Sequence, residues 1–206
     1  MNKIDTATQR TDEHGNVLSI EEAVARYGPT AAYGSESAKY LCLTLPFLSG
    51  NGLDIGSGGW PVVERAIQFE LPSDKFNDYT GGRAPRVPIE WHGDFTNLPF
   101  KDGTLDYIYC SHVLEDFNPD TWEGILREWK RAIRDDGRII VLIPEHERWQ
   151  YCIQVLGQCP NCAHWNPEPS VGDMSAAAVK AGLAVNREHL TNLFENDYTI
   201  LCVFTK

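Results

Sequence analysis

Three acidic residues sit at the ends of short apolar runs in the first half of this 206-residue chain: Asp54, Glu70 and Asp94. The first belongs to Gly52-Leu53-Asp54-Ile55, and glycines 56, 58 and 59 follow it directly. Glycines there let the backbone approach a ligand where any side chain would collide. Many nucleotide folds place such a turn after their first strand. The acid discriminates among them. A dinucleotide site needs a third glycine at position 61, where this chain has Pro61. A pyrophosphate would also lie close to the Asp54 carboxylate, and like charges in a partly dry site repel by several kcal/mol, on the order given by Coulomb's law at intermediate dielectric. A ligand with a cationic end and no phosphate fits better. Further along, Cys110-Ser111-His112 leads into Glu115-Asp116 and sets an imidazole beside two carboxylates. An unperturbed imidazole titrates near pH ~6.5 and accepts a hydroxyl proton at neutral pH. The plain alternative is a histidine that only hydrogen-bonds its surroundings after a strand.

Chemistry of this kind needs strand ends gathered at one edge of a sheet. The apolar runs predict strands at Leu53–Ile55, Ala66–Glu70, Ile89–Trp91 and Leu105–Cys110. Trp122, Ile125, Leu126, Trp129 and Ile133 recur at helical spacing after a Pro119-Asp120 start, and Asp135-Asp136-Gly137 closes that helix. The unbroken apolar run Arg138–Ile143 has the mark of a strand buried on both faces. Helices are expected over 145–157 and 173–181, with a proline-rich loop at 158–172 between them. Leu183–Glu188 and Tyr198–Phe204 are joined by too few residues for a helical crossover, so they should pair antiparallel. Before the first strand, Ser19-Ile20-Glu21-Glu22 opens one short helix, and Tyr40, Leu41, Leu43, Thr44 and Leu45 form a second that ends at Pro46. The fold class is therefore α/β: a seven-stranded, mostly parallel sheet with helices on both faces, a C-terminal antiparallel hairpin and an N-terminal helical cap. We expect one domain over 1–206, divided into a cap at 1–48, a ligand-binding core at 51–143, an insertion at 144–172 and a C-terminal helix and hairpin at 173–206.

Composition narrows the partners. The net charge is −11 and no basic run exists, which argues against a nucleic-acid partner, since such binding depends on Lys and Arg releasing counterions. No apolar run approaches the ~18–20 residues of a membrane span, and the polar N-terminus lacks a signal peptide's apolar centre. Six scattered cysteines, two of them inside strand patterns, suit reduced thiols in a cytoplasmic protein.

Four segments resemble the class I S-adenosylmethionine-dependent methyltransferases, particularly the small-molecule enzymes with the "methyltransferase 11" pattern. They are residues 53–58, 93–100, 105–116 and 129–138, in the family's order and spacing. The resemblance implies a Rossmann-like sheet, S-adenosylmethionine as cofactor and S-adenosylhomocysteine as product. It further implies that Asp54 with Gly56, Ser57 and Gly58 holds the methionine end. Glu70, with Leu71 beside it, accepts from the ribose hydroxyls, Asp94 takes the adenine amino group, and Phe95 offers its N–H and an apolar face. Cys110 and Ser111 line the passage to the sulfonium. His112, two residues past the fourth strand, falls where the family places the methyl group; it is the candidate base, with Asp116 or Glu115 orienting it or binding the acceptor. An Asn-Pro-Pro-Tyr-like motif, typical of methylation of base amino groups, is absent. The expected acceptor is thus a small molecule offering oxygen, carbon or aliphatic nitrogen. The alternatives are an RNA or protein methyltransferase, or a cofactor-binding but inactive subunit. One departure concerns the loop: only eleven residues separate Gly58 from Glu70, so the family's first helix must be missing or cut to a turn.

Acceptor recognition is expected from the cap and the insertion, through Tyr33, Tyr40, Glu145, His146, His164 and Trp165, which extend past the common core toward the strand tips. Cys159-Pro160-Asn161-Cys162 invites a zinc site, but no second pair with matching spacing completes four ligands, and no metal is expected.

Overall fold

The structure, a computed structural model, describes residues 36–80, 88–157, 164–165, 167–193 and 195–206. Seven strands form one sheet: β1 (Gly52–Ile55), β2 (Ile67–Glu70), β3 (Trp91–His92), β4 (Leu105–Ser111), β5 (Ile133–Pro144), β6 (Ala184–Leu190) and β7 (Thr199–Thr205). Their order across the sheet is β3-β2-β1-β4-β5-β7-β6. Pairings from β3 to β5 are parallel, and β7 runs antiparallel to both of its neighbours. The chain therefore winds outward from β1 in one direction and, from β4, in the other. Beyond the carboxyl ends of β1 and β4 this reversal opens a crevice, where open α/β sheets bind ligands.

Alternation along the central strands builds two cores. Leu53, Ile55, Ile108, Cys110, Ile139 and Val141 face one side, against α4 (Trp122–Ala132) and α6 (Asp173–Lys180). Tyr107, Tyr109, Ile140, Leu142, Leu201 and Val203 face the other, against Tyr40, Leu48, Val62 and Ala66. Ahead of β1 lie α1 (Glu36–Lys39), α2 (Leu41–Thr44) and a 3-10 turn at Leu45–Phe47. The expected second helix is thus broken at Tyr40, and Pro46 sits inside the closing turn, where its missing N–H is no loss. The expected helix near residues 19–26 lies outside the described residues.

No helix joins β1 to β2. The connection is a run of turns fixed by side chains: Asp54 Oδ2 accepts from Val62 N–H at 2.6 Å, and Ser57 Oγ accepts from Gly59 N–H at 3.2 Å. This is the shortened crossover that the spacing demanded. Three other elements differ from expectation. The third strand shrinks to Trp91–His92, because Pro88 lacks an N–H and the Glu90 carboxylate, not a strand carbonyl, takes the Gln68 N–H at 2.6 Å. After α4 the chain turns directly into β5: Ile133 pairs with Leu105, the next pair is Tyr107–Arg138, and Asp135-Asp136-Gly137 loops out between them. A helix not read from sequence, α3 (Ser73–Thr80), follows β2; its polar composition hides the period, and Phe76 is its buried anchor.

The remaining helix, α5 (His146–Gln154), begins where β5 ends. Among the described residues no helix is long and apolar enough to cross a membrane.

Candidate active site

At the crevice lies a cavity of about 230 Å³. Gly56, Gly58, Glu70, Leu71 and Phe95 line it on the side of β1 and β2. His112 and Asp116 line it on the side of β4. Seven residues expected to act together from sequence are thereby brought together. Phe76, Val113 and Phe117 complete the wall. Sequence reasoning missed these three; Val113 and Phe117 flank the expected acids, and their apolar character was the available signal.

The glycine turn is held open by its backbone and closed by Glu70. Gly56, Gly58 and Gly59 have φ of 73°, 63° and 83°, a region that side chains disfavour. A Cβ on Gly56 would come within 2.2 Å of Val113 Cγ2, so the two walls meet there, whereas a Cβ on Gly58 would meet nothing within 4 Å. Glu70 Oε1 accepts from Gly58 N–H at 2.5 Å and from Ser57 Oγ at 3.2 Å. Burial pushes the Glu70 carboxyl above its ordinary range, against the opposing pull of those two hydrogen bonds. Asp54 lies beneath the turn, 1 % exposed, and does not line the cavity. Its burial raises its pKa strongly, the Val62 N–H lowers it, and the Glu70 charge raises it further. Asp54 Oδ1 is buried with no hydrogen-bond partner.

On the opposite wall, His112 has φ +56°, strained for a residue with a side chain, and its N–H donates to Leu142 O at 2.8 Å. Its Nδ1 lies 3.3 Å from Glu115 Oε1, and its Nε2 lies 3.5 Å from Thr199 Oγ1. Both ring nitrogens therefore face protein groups. Asp116 is different: burial raises its carboxyl to about 7, the Glu115 charge adds to the rise, and His112 opposes it. Its Oδ1 is buried without a hydrogen-bond partner. A carboxyl that titrates near neutrality on a cavity wall is a candidate acid or base.

The other sequence-predicted residues lie elsewhere. Asp94 is exposed, and its Oδ1 accepts from Thr96 N–H and Thr96 Oγ1 at 2.8 and 2.7 Å, closing a turn. Cys110 is a core side chain whose thiol burial pushes far up, and Ser111 is buried behind the wall. Tyr40 is fully buried under the sheet, donating to Asp197 Oδ1 and Thr199 Oγ1, both at 2.8 Å. Glu145 caps α5 through the Arg148 N–H at 2.9 Å. His146 and His164 meet Glu168 away from the cavity, and Trp165 is 46 % exposed. Tyr33 and the Cys159/Cys162 pair lie outside the described residues. Among the described residues no group of three or more His, Cys, Asp or Glu is placed to hold a metal, and Cys42, Cys110, Cys152 and Cys202 are free thiols.

Two tryptophans of α4 fix both walls. Trp129 Nε1 donates to Phe95 O and Trp122 Nε1 to Leu114 O, each at 2.9 Å. Their spacing read as a core stripe; the indole N–H groups give it a second task. Trp129→Phe keeps an aromatic ring but leaves the buried Phe95 carbonyl without this donor. The expected loss of stability is about 1–3 kcal/mol, read as a lower midpoint in chemical denaturation with an unchanged slope.

Comparison with known proteins gives the site its context. Residues 71–141 match a family described as methyltransferase domain; the match begins just past Glu70. No curated protein matches the chain. Among solved structures, a Thermotoga maritima S-adenosylmethionine-dependent methyltransferase, described as a candidate histamine N-methyltransferase, superposes with TM-score 0.58 at 20 % identity, covering 82 % of this chain and 89 % of that one. A Mesorhizobium loti S-adenosylmethionine-dependent methyltransferase gives TM-score 0.59 at 15 % identity over 84 % and 99 %. A complex between the Haloferax volcanii Trm112 methyltransferase activator and a proposed methyltransferase supplies a third, with TM-score 0.56 at 18 % identity over 91 % and 97 %. Residues 71–141 thus carry the methyltransferase-domain pattern, and the fold of the chain is that of S-adenosylmethionine-dependent methyltransferases of known structure.

Proposed function

We propose that the chain transfers a methyl group to a small-molecule acceptor whose nucleophile is oxygen, carbon or aliphatic nitrogen. The observation that carries this reading is the single cavity in which the glycine turn and Glu70 face His112 and Asp116. The residues fit the cofactor. Gly58 leaves open space where a side chain would stand, and Asp54 Oδ1 is a buried acceptor in want of a donor. Gly56, Ser57 and Gly58, with Asp54 beneath them, would hold the methionine end, Glu70 the ribose with Leu71 beside it, and Phe95 the adenine; Asp94, outside the cavity wall, would reach the adenine only by leaving its turn with Thr96. Bound there, the cofactor supplies a methyl group already activated on a sulfonium. The chain's own work is to align the acceptor and exclude water. The phenyl rings of Phe76, Phe95 and Phe117 serve the second task. Asp116 accepts the acceptor's proton, while His112, held by Glu115 and Thr199, fixes the wall beside it.

Calorimetric titration with S-adenosylhomocysteine tests the cofactor half of this reading. Glu70→Ala should weaken that binding about ten- to a hundredfold, for loss of a charge-assisted contact. The acceptor half is tested by offering labelled S-adenosylmethionine with a metabolite extract, with RNA and with protein in parallel. Label confined to small molecules supports the proposal, and label in RNA or protein overturns it. The net charge of −11 weighs against RNA as the acceptor.

A further inference from the structure

Behind the cavity, acids and imidazoles alternate in a chain that the methyl-transfer reading leaves unused. Glu115 is a fully buried side chain whose two oxygens lack hydrogen-bond partners. Its Oε1 lies between His112 Nδ1, at 3.3 Å, and His164 Nε2, at 3.7 Å. His164, itself 5 % exposed, turns its other nitrogen, Nδ1, to Glu168 Oε1 at 3.7 Å. The second oxygen of Glu168 lies 3.0 Å from His146 Nδ1, and the His146 side chain is 35 % exposed. One end of this series lines the cavity and the other touches solvent.

The geometry points to a proton path: His112, Glu115, His164, Glu168 and His146 carry the proton released by the acceptor from the cavity to bulk water. This rests on the reading of the cavity as the site of methyl transfer. When the acceptor's new bond to carbon forms and the carbon–sulfur bond breaks, the acceptor's bond to hydrogen breaks as well. Asp116 takes that proton, a ring turn that frees His112 Nε2 from Thr199 Oγ1 passes it into the series, and one proton leaves His146 for water, so charge and atoms balance. An imidazole suits each intermediate position because one nitrogen can accept while the other donates. His164 has that arrangement, with a different glutamate at each nitrogen. The contacts at 3.7 Å need a small ring rotation or one bridging water, and both are ordinary for such networks.

Local structure holds the series in place. Trp165 N–H donates to Glu115 O at 2.7 Å, and His146 N–H donates to Pro169 O at 2.9 Å, so both ends of the 164–169 region are tied to the walls. The Trp149 ring packs on His164 at 5.4 Å and on Tyr198 at 4.8 Å, and Tyr198 meets the His112 ring edge at 6.0 Å. These rings pack against the path on one side. Among the described residues, Asp116, beside Glu115, and the Lys39 ammonium over the Tyr198 ring also face it. Gln150 Nε2 also donates to Glu168 Oε2, at 3.3 Å, which orients that carboxylate.

The test uses the full chain and two variants far from the cavity wall, Glu168→Gln and His146→Gln. Proton NMR of the intact protein should show exchange-protected imidazole N–H signals, assigned by single histidine variants. With a connected path, Glu168→Gln shifts the His112 signal although the two residues do not touch. An unmoved His112 signal overturns the path without bearing on methyl transfer. In turnover assays with labelled S-adenosylmethionine and the metabolite fraction that takes the label, both variants should lose at least about tenfold in kcat. That is short of the ~10²–10⁴ expected for loss of a base itself. KM for the cofactor should stay unchanged, and added imidazole buffer should restore the rate. Wild-type turnover in both variants, or loss that buffer does not restore, overturns the path alone. Absence of any methyl transfer by the wild type overturns the path together with the reading beneath it.

Discussion

Replacing Asp116 by asparagine should lower turnover about 10²–10⁴-fold, the range for removing a positioned acid or base, and leave S-adenosylhomocysteine affinity nearly unchanged. The carboxyl lines the cavity, and burial with the neighbouring Glu115 charge raises it to about 7. Below that pH it is protonated and cannot accept a proton; above it, it can. Wild-type turnover should therefore rise with pH through about 7 and then level, and the asparagine variant should lack that rise. Stability supplies a second readout that needs no acceptor. The folded chain holds this proton up to about 7, whereas the unfolded carboxyl releases it near its ordinary 3.8. The native state thus binds more protons across that window, and the stability contributed by this group falls as pH rises through it. Asp116→Asn should accordingly raise the thermal midpoint at pH above the window and change it little below. Higher stability with lower activity is the expected trade at a functional position. If the pH rise instead survives in Asp116→Asn and vanishes in His112→Ala, the imidazole is the base.

How much of this was legible beforehand depends on whether a residue's role is local. The strand ends and the glycine turn are written in consecutive residues, so Asp54, Gly56, Gly58 and Glu70 were placed correctly along the sheet edge. The missing helix between β1 and β2 followed from counting residues, because a crossover has a minimum length. Strand edges were less legible: Ile89–Trp91 moved to Trp91–His92 since a side chain, Glu90, replaced a backbone partner. The polar α3 was hidden for a related reason, being anchored by one aromatic residue. Tertiary pairings were not legible at all. Nothing in the spacing of Glu115, His146, His164 and Glu168 announces that they interleave, because two of the contacts join residues 22 and 49 positions apart. Tyr40, Glu145, His146, His164 and Trp165 were assigned to acceptor recognition because their segments lie outside the common core, toward the strand tips. The fold uses Tyr40 and Glu145 for packing and capping, and the two histidines in the series of acids and imidazoles behind the cavity. The titration of Asp116 likewise depends on burial by the completed fold, which no local pattern encodes.

The glycine turn offers a prediction that separates folding from binding within three residues. Gly56 and Gly58 both have positive φ, 73° and 63°, so alanine at either position carries backbone strain of roughly 1–2 kcal/mol. Their surroundings differ. A Cβ on Gly56 collides with Val113 at 2.2 Å and must push the His112–Asp116 wall away from the turn. Such overpacking typically costs a further ~1–3 kcal/mol. Gly56→Ala should therefore unfold at clearly lower temperature and lose turnover with it. A Cβ on Gly58 meets no protein atom within 4 Å and points into space the cofactor would fill. Gly58→Ala should keep a thermal midpoint lowered only by the backbone strain, yet bind S-adenosylhomocysteine about ten- to a hundredfold more weakly, an overpacking cost of the same size now falling on the complex. The Gly58 N–H that donates to Glu70 is retained in the variant, so loss of that hydrogen bond is not the cause. Thermal unfolding and calorimetry on the two variants check both statements. Unchanged affinity in Gly58→Ala would place the cofactor elsewhere than against the turn, and the roles proposed for Asp54 and Glu70 would fall with it.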